Sequence, residues 1–234
     1  MPEHQLVFST FTSPLISISN AQRRPVPQAK WLRTIHHGLP ERLLTPQACK
    51  PSYLAVLGRI APEKGVDRAI RIAARCGIPL KIAAKVDRAD QEYYDELIRP
   101  LIDRNPLVEY IGEIGDPDKS EFLSGAIGLL VPIDWPEPFG LVMIEAMACG
   151  TPVIAYNRGS VAEIIDDGLT GFVVEDEISA VAAVDRLSTL SRHAIRKQFE
   201  TRFTARRMAL DYLAAYRSLG EEQAPRIKLV SSAE

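Results

Sequence analysis

From Ser52 onward, short apolar runs alternate with stretches whose apolar residues recur at helical spacing, and this alternation narrows the possible folds most. Tyr53–Leu57 reads as a strand. Gly65–Cys76 reads as a helix with Val66, Ala69, Ile70 and Ala73 on one face. Strands follow at Pro79–Ala84, Leu107–Ile111, Ile127–Val131, Thr151–Tyr156 and Gly171–Val174. The intervening helices are expected over Tyr93–Ile102 and Lys119–Ala126, and from Phe139 and Ser160 onward. Strand–helix repeats of this length form right-handed βαβ units, which place parallel strands in one sheet and helices on both faces. The expectation is an α/β domain over about residues 50–190, a doubly wound parallel sheet of six strands followed by C-terminal helices. Such sheets bind ligands at the carboxyl ends of their strands. Loops 58–64, 85–90, 112–116, 132–139 and 157–160 all fall on that edge.

The two ends read differently. Leu15–Ser19 and Trp31–Ile35 suggest short strands on either side of the basic turn Gln22-Arg23-Arg24-Pro25. Two strands with no helical layer cannot bury both faces of a sheet, so this segment is expected to be the tail of a larger unit. Toward the other end, Ser179–Leu190 and Ala205–Leu219 carry helical periodicity, the latter with Met208, Tyr212, Leu213 and Tyr216. Glu221–Glu234 is expected to be a polar, frayed tail. A net charge of -2 leaves no electrostatic footprint for nucleic acid. No apolar run reaches the roughly 18 residues that would span a bilayer, and MPEHQLVF lacks the features of a signal peptide. Cys49, Cys76 and Cys149 are expected to be buried, reduced thiols, as in a cytoplasmic protein. No Cys/His pair has zinc-ligand spacing, and His36-His37 reads as a loop pair that could alternatively ligate a metal or touch a substrate.

The chemistry concentrates in PIDWPEPFGLVMIEAMACGTPVIAY, residues 132–156. Here an apolar strand turns through a loop with two prolines and Glu137 into a helix opening near Phe139-Gly140-Leu141. The first amides of a helix have no internal partner, and its dipole favours an anion there. Glu145 lies on an apolar helix, where a carboxylate must be paired. Two adjacent sugar hydroxyls would satisfy it, and so would a buried Arg or Lys. Glu137 could accept the hydroxyls of a second sugar or lie exposed in its loop. The first strand ends in Gly58-Arg59-Ile60-Ala61-Pro62-Glu63-Lys64-Gly65. Gly58 permits close backbone approach, and Arg59 and Lys64 put two cations at the same strand end. Taken alone, this is a charged loop capping a helix. It is neither a dinucleotide fingerprint nor a Walker A loop.

Three motifs in order, G-R-x-x-x-x-K-G, then E-x-F-G-L-x-x-x-E-A-M-A-x-G-x-P-V-I-A, then G-x-x-G-F, resemble the C-terminal domain of family 4 retaining glycosyltransferases. That family has GT-B architecture, two Rossmann-like halves facing a cleft. The resemblance runs from about Ile35 to Leu219. It implies transfer of a hexose from a UDP- or GDP-sugar with retention, without a metal or other cofactor. Arg59, Lys64 and Glu137 would be catalytic. Gly58, Ile111, Glu137, Phe139, Gly140, Leu141 and Glu145 would bind the donor, with Arg59 and Lys64 on the diphosphate, Glu145 on the ribose and Ile111 meeting the base through its backbone. It divides the chain into a remnant of the N-terminal domain plus linker at 1–40, the donor domain at 41–190, helices at 191–220 and a tail at 221–234. Most of the N-terminal domain, which supplies the acceptor site, would be absent, and nothing in the chain names the acceptor. Three positions depart from the family pattern. Ala84-Lys85-Val86-Asp87 stands where relatives carry a glycine-rich loop, Ile133-Asp134-Trp135 where many have serine, and Asn157-Arg158-Gly159-Ser160 where a doubled glycine is common. Trp135 could stack on a sugar or cover the helix start, and Arg158 could reach an anion or point to solvent. The alternatives are a nucleotide-sugar binding module without turnover of its own and a GT-B-type epimerase.

Overall fold

The computed structural model describes residues 7, 8, 10 and 12–223. Two short strands, β1 (Leu15–Ser17) and β2 (Trp31–Thr34), come first and pair in parallel as a sheet of their own. The main sheet holds six strands: β3 (Tyr53–Ile60), β4 (Leu80–Val86), β5 (Val108–Gly112), β6 (Ala126–Val131), β7 (Val153–Tyr156) and β8 (Gly171–Val174). Their order is β5-β4-β3-β6-β7-β8, and every adjacent pair is parallel. This is the doubly wound α/β architecture expected from the alternating pattern, with Rossmann strand order.

Helices cover both faces. On one, α1 (Val66–Cys76), α2 (residues 91–103) and α6 (Glu177–Arg186) pack Ile70, Ile98 and Val184 onto Leu54, Val56 and Ile82. On the other, α3 (Asp116–Ser124), α4 (Leu141–Ala148) and α7 (Arg192–Arg202) pack Leu123, Met143, Met147 and Phe199 around Ala55 and Leu129. Leu54 and Val56 thus face one layer while Ala55 faces the other, the two-residue alternation a strand imposes. A single turn, α5 (Val161–Ile164), follows β7, and α8 (Ala205–Gln223) closes the described chain. No helix among the described residues is long and apolar enough to cross a membrane.

Several boundaries differ from the sequence expectations. β3 and β4 run further than Leu57 and Ala84, so Arg59 and Lys85 become register partners on adjacent strands. α3 begins at Asp116 because Pro117 occupies its first turn, where a missing N–H costs nothing, and Ala126 opens β6 instead of ending the helix. α6 starts at Glu177, ahead of Ser179, because Asp176 and Ser179 cap each other reciprocally. It ends at Arg186, where a 3-10 turn, Leu187–Thr189, takes over. α2 contains a π segment, Tyr94–Ile98, just before Pro100, whose ring cannot donate to the preceding turn. Periodicity did not mark α7, which lies within the 191–220 stretch where the resemblance implied helices. The opening at Ser160 yields only the one turn α5.

Of the three cysteines expected to be buried, only Cys149 is; Cys49 is exposed and Cys76 intermediate. Cys49 sits between Pro46 and Pro51 in a segment outside the main sheet, so no strand carries it inward. All three thiols are free, and burial pushes Cys149 up to about 11. Of the expected tail, residues 221–223 continue α8 and 224–234 lie outside the described residues, as does most of MPEHQLVF.

The linker between β2 and the main sheet is zipped to the start of α8. Leu39 N–H donates to Phe203 O at 2.9 Å, and Ala205 N–H donates to Leu39 O at 2.8 Å. Arg207 donates to the carbonyls of His36 and His37. Glu163 on α5 accepts from the Asn20 and Ala21 amides, each at 2.7 Å, and so fastens the β1–β2 unit to the same edge of the domain.

Candidate functional site

β3 and β6 are neighbours in the sheet, yet the chain leaves them in opposite directions, toward β4 and toward β7. Their carboxyl ends therefore open a crevice at the point where strand order reverses. Two contacts draw the bordering loops together: Asp134 N–H donates to Glu63 O and Arg68 Nε to Pro132 O, both at 2.8 Å. Gly65 makes the approach possible. Its φ is 70°, and a Cβ there would lie 2.2 Å from Pro132 O.

The crevice is a hollow of 370 Å³. Gly58, Arg59 and Lys64 border it from the β3 side, and Glu137, Phe139, Gly140 and Leu141 from the β6 side. The motif residues separated by some eighty positions in sequence therefore share one wall-to-wall space. α4 begins at Leu141, after Gly140 at φ 82°, two residues later than the sequence suggested. Its unpaired first-turn amides and the positive end of its dipole thus lie at the hollow's edge. Ser160 steadies this turn, its N–H donating to Glu137 O and its hydroxyl to Phe139 O, both at 2.9 Å.

Lys64 Nζ stands 2.6 Å from Glu137 Oε2, so Glu137 is not a free loop charge. Arg59 is more heavily engaged. Its Nη1 meets Asp90 and its Nη2 meets Glu63, each at 2.5 Å, and its Nε faces Asp87 at 3.8 Å. Asp87 also pairs with Lys85 at 2.8 Å. The two cations expected to await an anion are therefore both held by carboxylates in this structure.

A second hollow, of 280 Å³, adjoins the first, and Leu57, Gly58, Leu141 and Val142 line both. Glu145 and Lys119 face it, their side chains 2.9 Å apart. Of the two partners the sequence allowed for Glu145, the ion pair is the one present. Burial disfavours the Lys119 charge, but the hydrogen bonds to Glu145 and Asp116 outweigh it and raise its pKa. Ile111 lines neither hollow and packs half-buried against the core, whereas Glu113 and Ile114 from the same strand exit do line the second.

Ile18 and His37 also border the first hollow, delivered there by the β1–β2 unit and the linker. His37 stands edge-on to Phe139, 5.0 Å between ring centroids, and burial lowers its pKa, with Arg207 adding to the effect. Its doubled sequence and nearness to the linker were the only signals available. Trp135 is 43% exposed and lines neither hollow. Arg158 is paired with Glu175 at 3.2 Å and Asp134 at 3.6 Å. Among the described residues, no group of three or more His, Cys, Asp or Glu side chains is placed to hold a metal ion.

Residues 46–204 match the model of the family described as glycosyl transferases group 1. Glycogen synthase of Mycobacterium tuberculosis (strain CDC 1551 / Oshkosh) is 30% identical over 200 residues, which cover 78% of this chain and 47% of that protein. D-inositol 3-phosphate glycosyltransferase of Mycobacterium bovis (strain BCG / Pasteur 1173P2) is 31% identical over 189 residues, 74% of this chain and 38% of that protein. The chain thus spans about half the length, or less, of these relatives. Among solved structures, sucrose-phosphate synthase from Thermosynechococcus elongatus superposes with a TM-score of 0.79 at 23% identity, covering 94% of this chain and 61% of that one. Anabaena Alr3699/HepE, solved in complex with UDP and glucose, gives 0.82 at 20% identity, covering 93% and 69%. At these identities the structural likeness is one of fold.

Proposed function

The chain belongs to the glycosyl transferases group 1 family, and from that membership we propose that it is the donor-binding half of a retaining transferase using a nucleotide diphosphate sugar. The observation that carries this reading is the one hollow into which Gly58, Arg59, Lys64, Glu137 and the start of α4 all open. Breaking a sugar–phosphate bond leaves negative charge on the departing nucleoside diphosphate. A lysine, an arginine and a helix N-terminus at fixed positions stabilise that charge as it develops.

In this reading the diphosphate lies against Leu141 and Val142 of α4, with Lys64 and Arg59 above it. The hexose occupies the 370 Å³ hollow toward Glu137, Phe139 and His37. The nucleoside runs into the adjoining space, where Glu145 accepts the ribose hydroxyls beside Lys119. The base reaches the exit of β5, close to Glu113 and Ile114 and short of the backbone of Ile111. The family resemblance gives a UDP- or GDP-sugar as donor, and the complex of a protein of shared fold with UDP and glucose favours UDP. Transfer itself is assigned to a two-domain protein, in which a second Rossmann-like domain closes the hollow, excludes water and brings the acceptor. The free thiols fit a cytoplasmic protein.

A thermal-shift panel of UDP, GDP and ADP with their glucose and mannose conjugates tests the reading. At least one conjugate should raise the melting temperature, and Lys64→Ala should abolish the rise. No shift with any of the compounds would refute it.

A further inference from the structure

The acidic loop after β4 has no part in the donor chemistry described so far, yet it occupies the arginine that chemistry needs. All three guanidinium nitrogens of Arg59 face carboxylates: Asp90 and Glu63 at 2.5 Å, Asp87 at 3.8 Å. Asp90 is the most enclosed of the three, 13% exposed, and its short 3-10 turn, Arg88–Asp90, presents it from the strand next to Arg59. Arg59, Lys64 and Glu137 line the hollow, whereas Glu63, Asp87, Asp90 and Lys85 do not, so Arg59 is the group through which this carboxylate cluster reaches the site.

A diphosphate cannot simply add to this arrangement. Two carboxylates hold the ends of the guanidinium, where a bidentate phosphate contact would form. An incoming phosphate would also meet the field of Asp90, the enclosed member of the three, and like charges repel there. We propose that donor binding is an ion exchange: phosphate oxygens take the Arg59 donors now held by Asp90 and Glu63, and the 87–90 loop thereby sets the affinity for the nucleoside diphosphate group. The inference rests on the donor-site reading above and adds to it an affinity-determining role for Asp90. Exchange of this kind weakens the complex with the leaving group, which favours release of the product after transfer.

The test is the dissociation constant of UDP and GDP, measured by isothermal titration on the full chain. Asp90→Asn keeps the size of the side chain and removes its charge, and should tighten binding about tenfold, the scale of one unit charge near a partly exposed anion. Glu63→Gln should act in the same direction. Glu109→Gln, which removes a carboxylate paired with Lys81 away from the hollow, should leave binding unchanged. A gain in affinity is a readout that local structural damage would not produce. In an Arg59→Ala background the Asp90→Asn gain should fall below threefold. A gain that persisted there in full would mean general repulsion and would overturn the exchange. Binding by the unaltered chain, with Asp90→Asn and Glu63→Gln equal or weaker, would likewise overturn it while leaving the donor-site reading intact. Absence of nucleotide binding in every variant, the unaltered chain included, would overturn the donor-site reading and the inference with it.

Discussion

Lys64 Nζ and Glu137 Oε2 lie 2.6 Å apart across the hollow, joining the loop after β3 to the loop after β6. The pair is a third and a sixth exposed, so as a stabilising contact it contributes at most about 1 kcal/mol. In the proposed function its weight falls on the site. Lys64→Ala should therefore leave the unfolding free energy within about 1 kcal/mol of the original and weaken nucleotide-sugar binding at least tenfold. Denaturant unfolding and calorimetric titration of one preparation would separate the two effects. A large stability loss with unchanged binding would assign Lys64 to the fold.

Glu145 and Lys119 form the more enclosed pair, 12% and 19% exposed. Removing the lysine alone strands a carboxylate against the apolar face of α4. Lys119→Met should cost about 2–4 kcal/mol, and adding Glu145→Gln should return much of that. A double-mutant cycle by chemical denaturation measures the coupling, and additive losses would mean that the two charges are independent.

Gly65 should not accept a side chain. Ala at that position needs a left-handed backbone and brings a Cβ within 2.2 Å of Pro132 O. Gly65→Ala should destabilise the chain by about 2 kcal/mol or more. It should also pull Lys64 away from Glu137, so nucleotide affinity falls along with melting temperature. Unchanged affinity in a folded variant would show that the loops can part without harm to the site.

His36 and His37 both titrate below the ordinary 6.5. Burial is the main cause at each; Glu163 partly offsets it at His36, and Arg207 reinforces it at His37. Just below 6.5 the unfolded chain therefore binds more protons than the folded one. The histidines' contribution to stability is complete above that value and is lost as pH falls through the lower folded values. Melting temperature should drop as pH falls below the ordinary 6.5, and the double substitution His36→Gln, His37→Gln should flatten that drop. An identical slope in the variant would place the acid sensitivity elsewhere.

The sequence made the sheet legible because each strand is a short apolar run bounded by turn residues, from Tyr53 to Val174. It also placed Arg59, Lys64, Glu137 and, to within two residues, the start of α4 at the carboxyl edge of the sheet, since each lies in or soon after the end of a strand. What it hid was the pairing of charges. Asp90 and Lys119 reach Arg59 and Glu145 from other elements, 31 and 26 residues away, and no local pattern announces such contacts. α7 was hidden for a different reason. Its eleven residues are mostly polar, and only Ile195 and Phe199 are buried, too sparse a stripe to read as a helix from periodicity alone. Ile18 and His37 came to the hollow through the packing of the N-terminal unit, which local periodicity does not encode.

If the hollow between β3 and β6 grips the diphosphate of a nucleotide sugar, as proposed, a free nucleoside diphosphate should bind there too. Calorimetric titration of UDP and GDP into the unaltered chain and into Lys64→Ala tests it most directly. Saturable binding at one site is expected for at least one of the two, weakened at least tenfold by the substitution. Equal affinity of the two proteins, or no binding to either nucleotide, would contradict it.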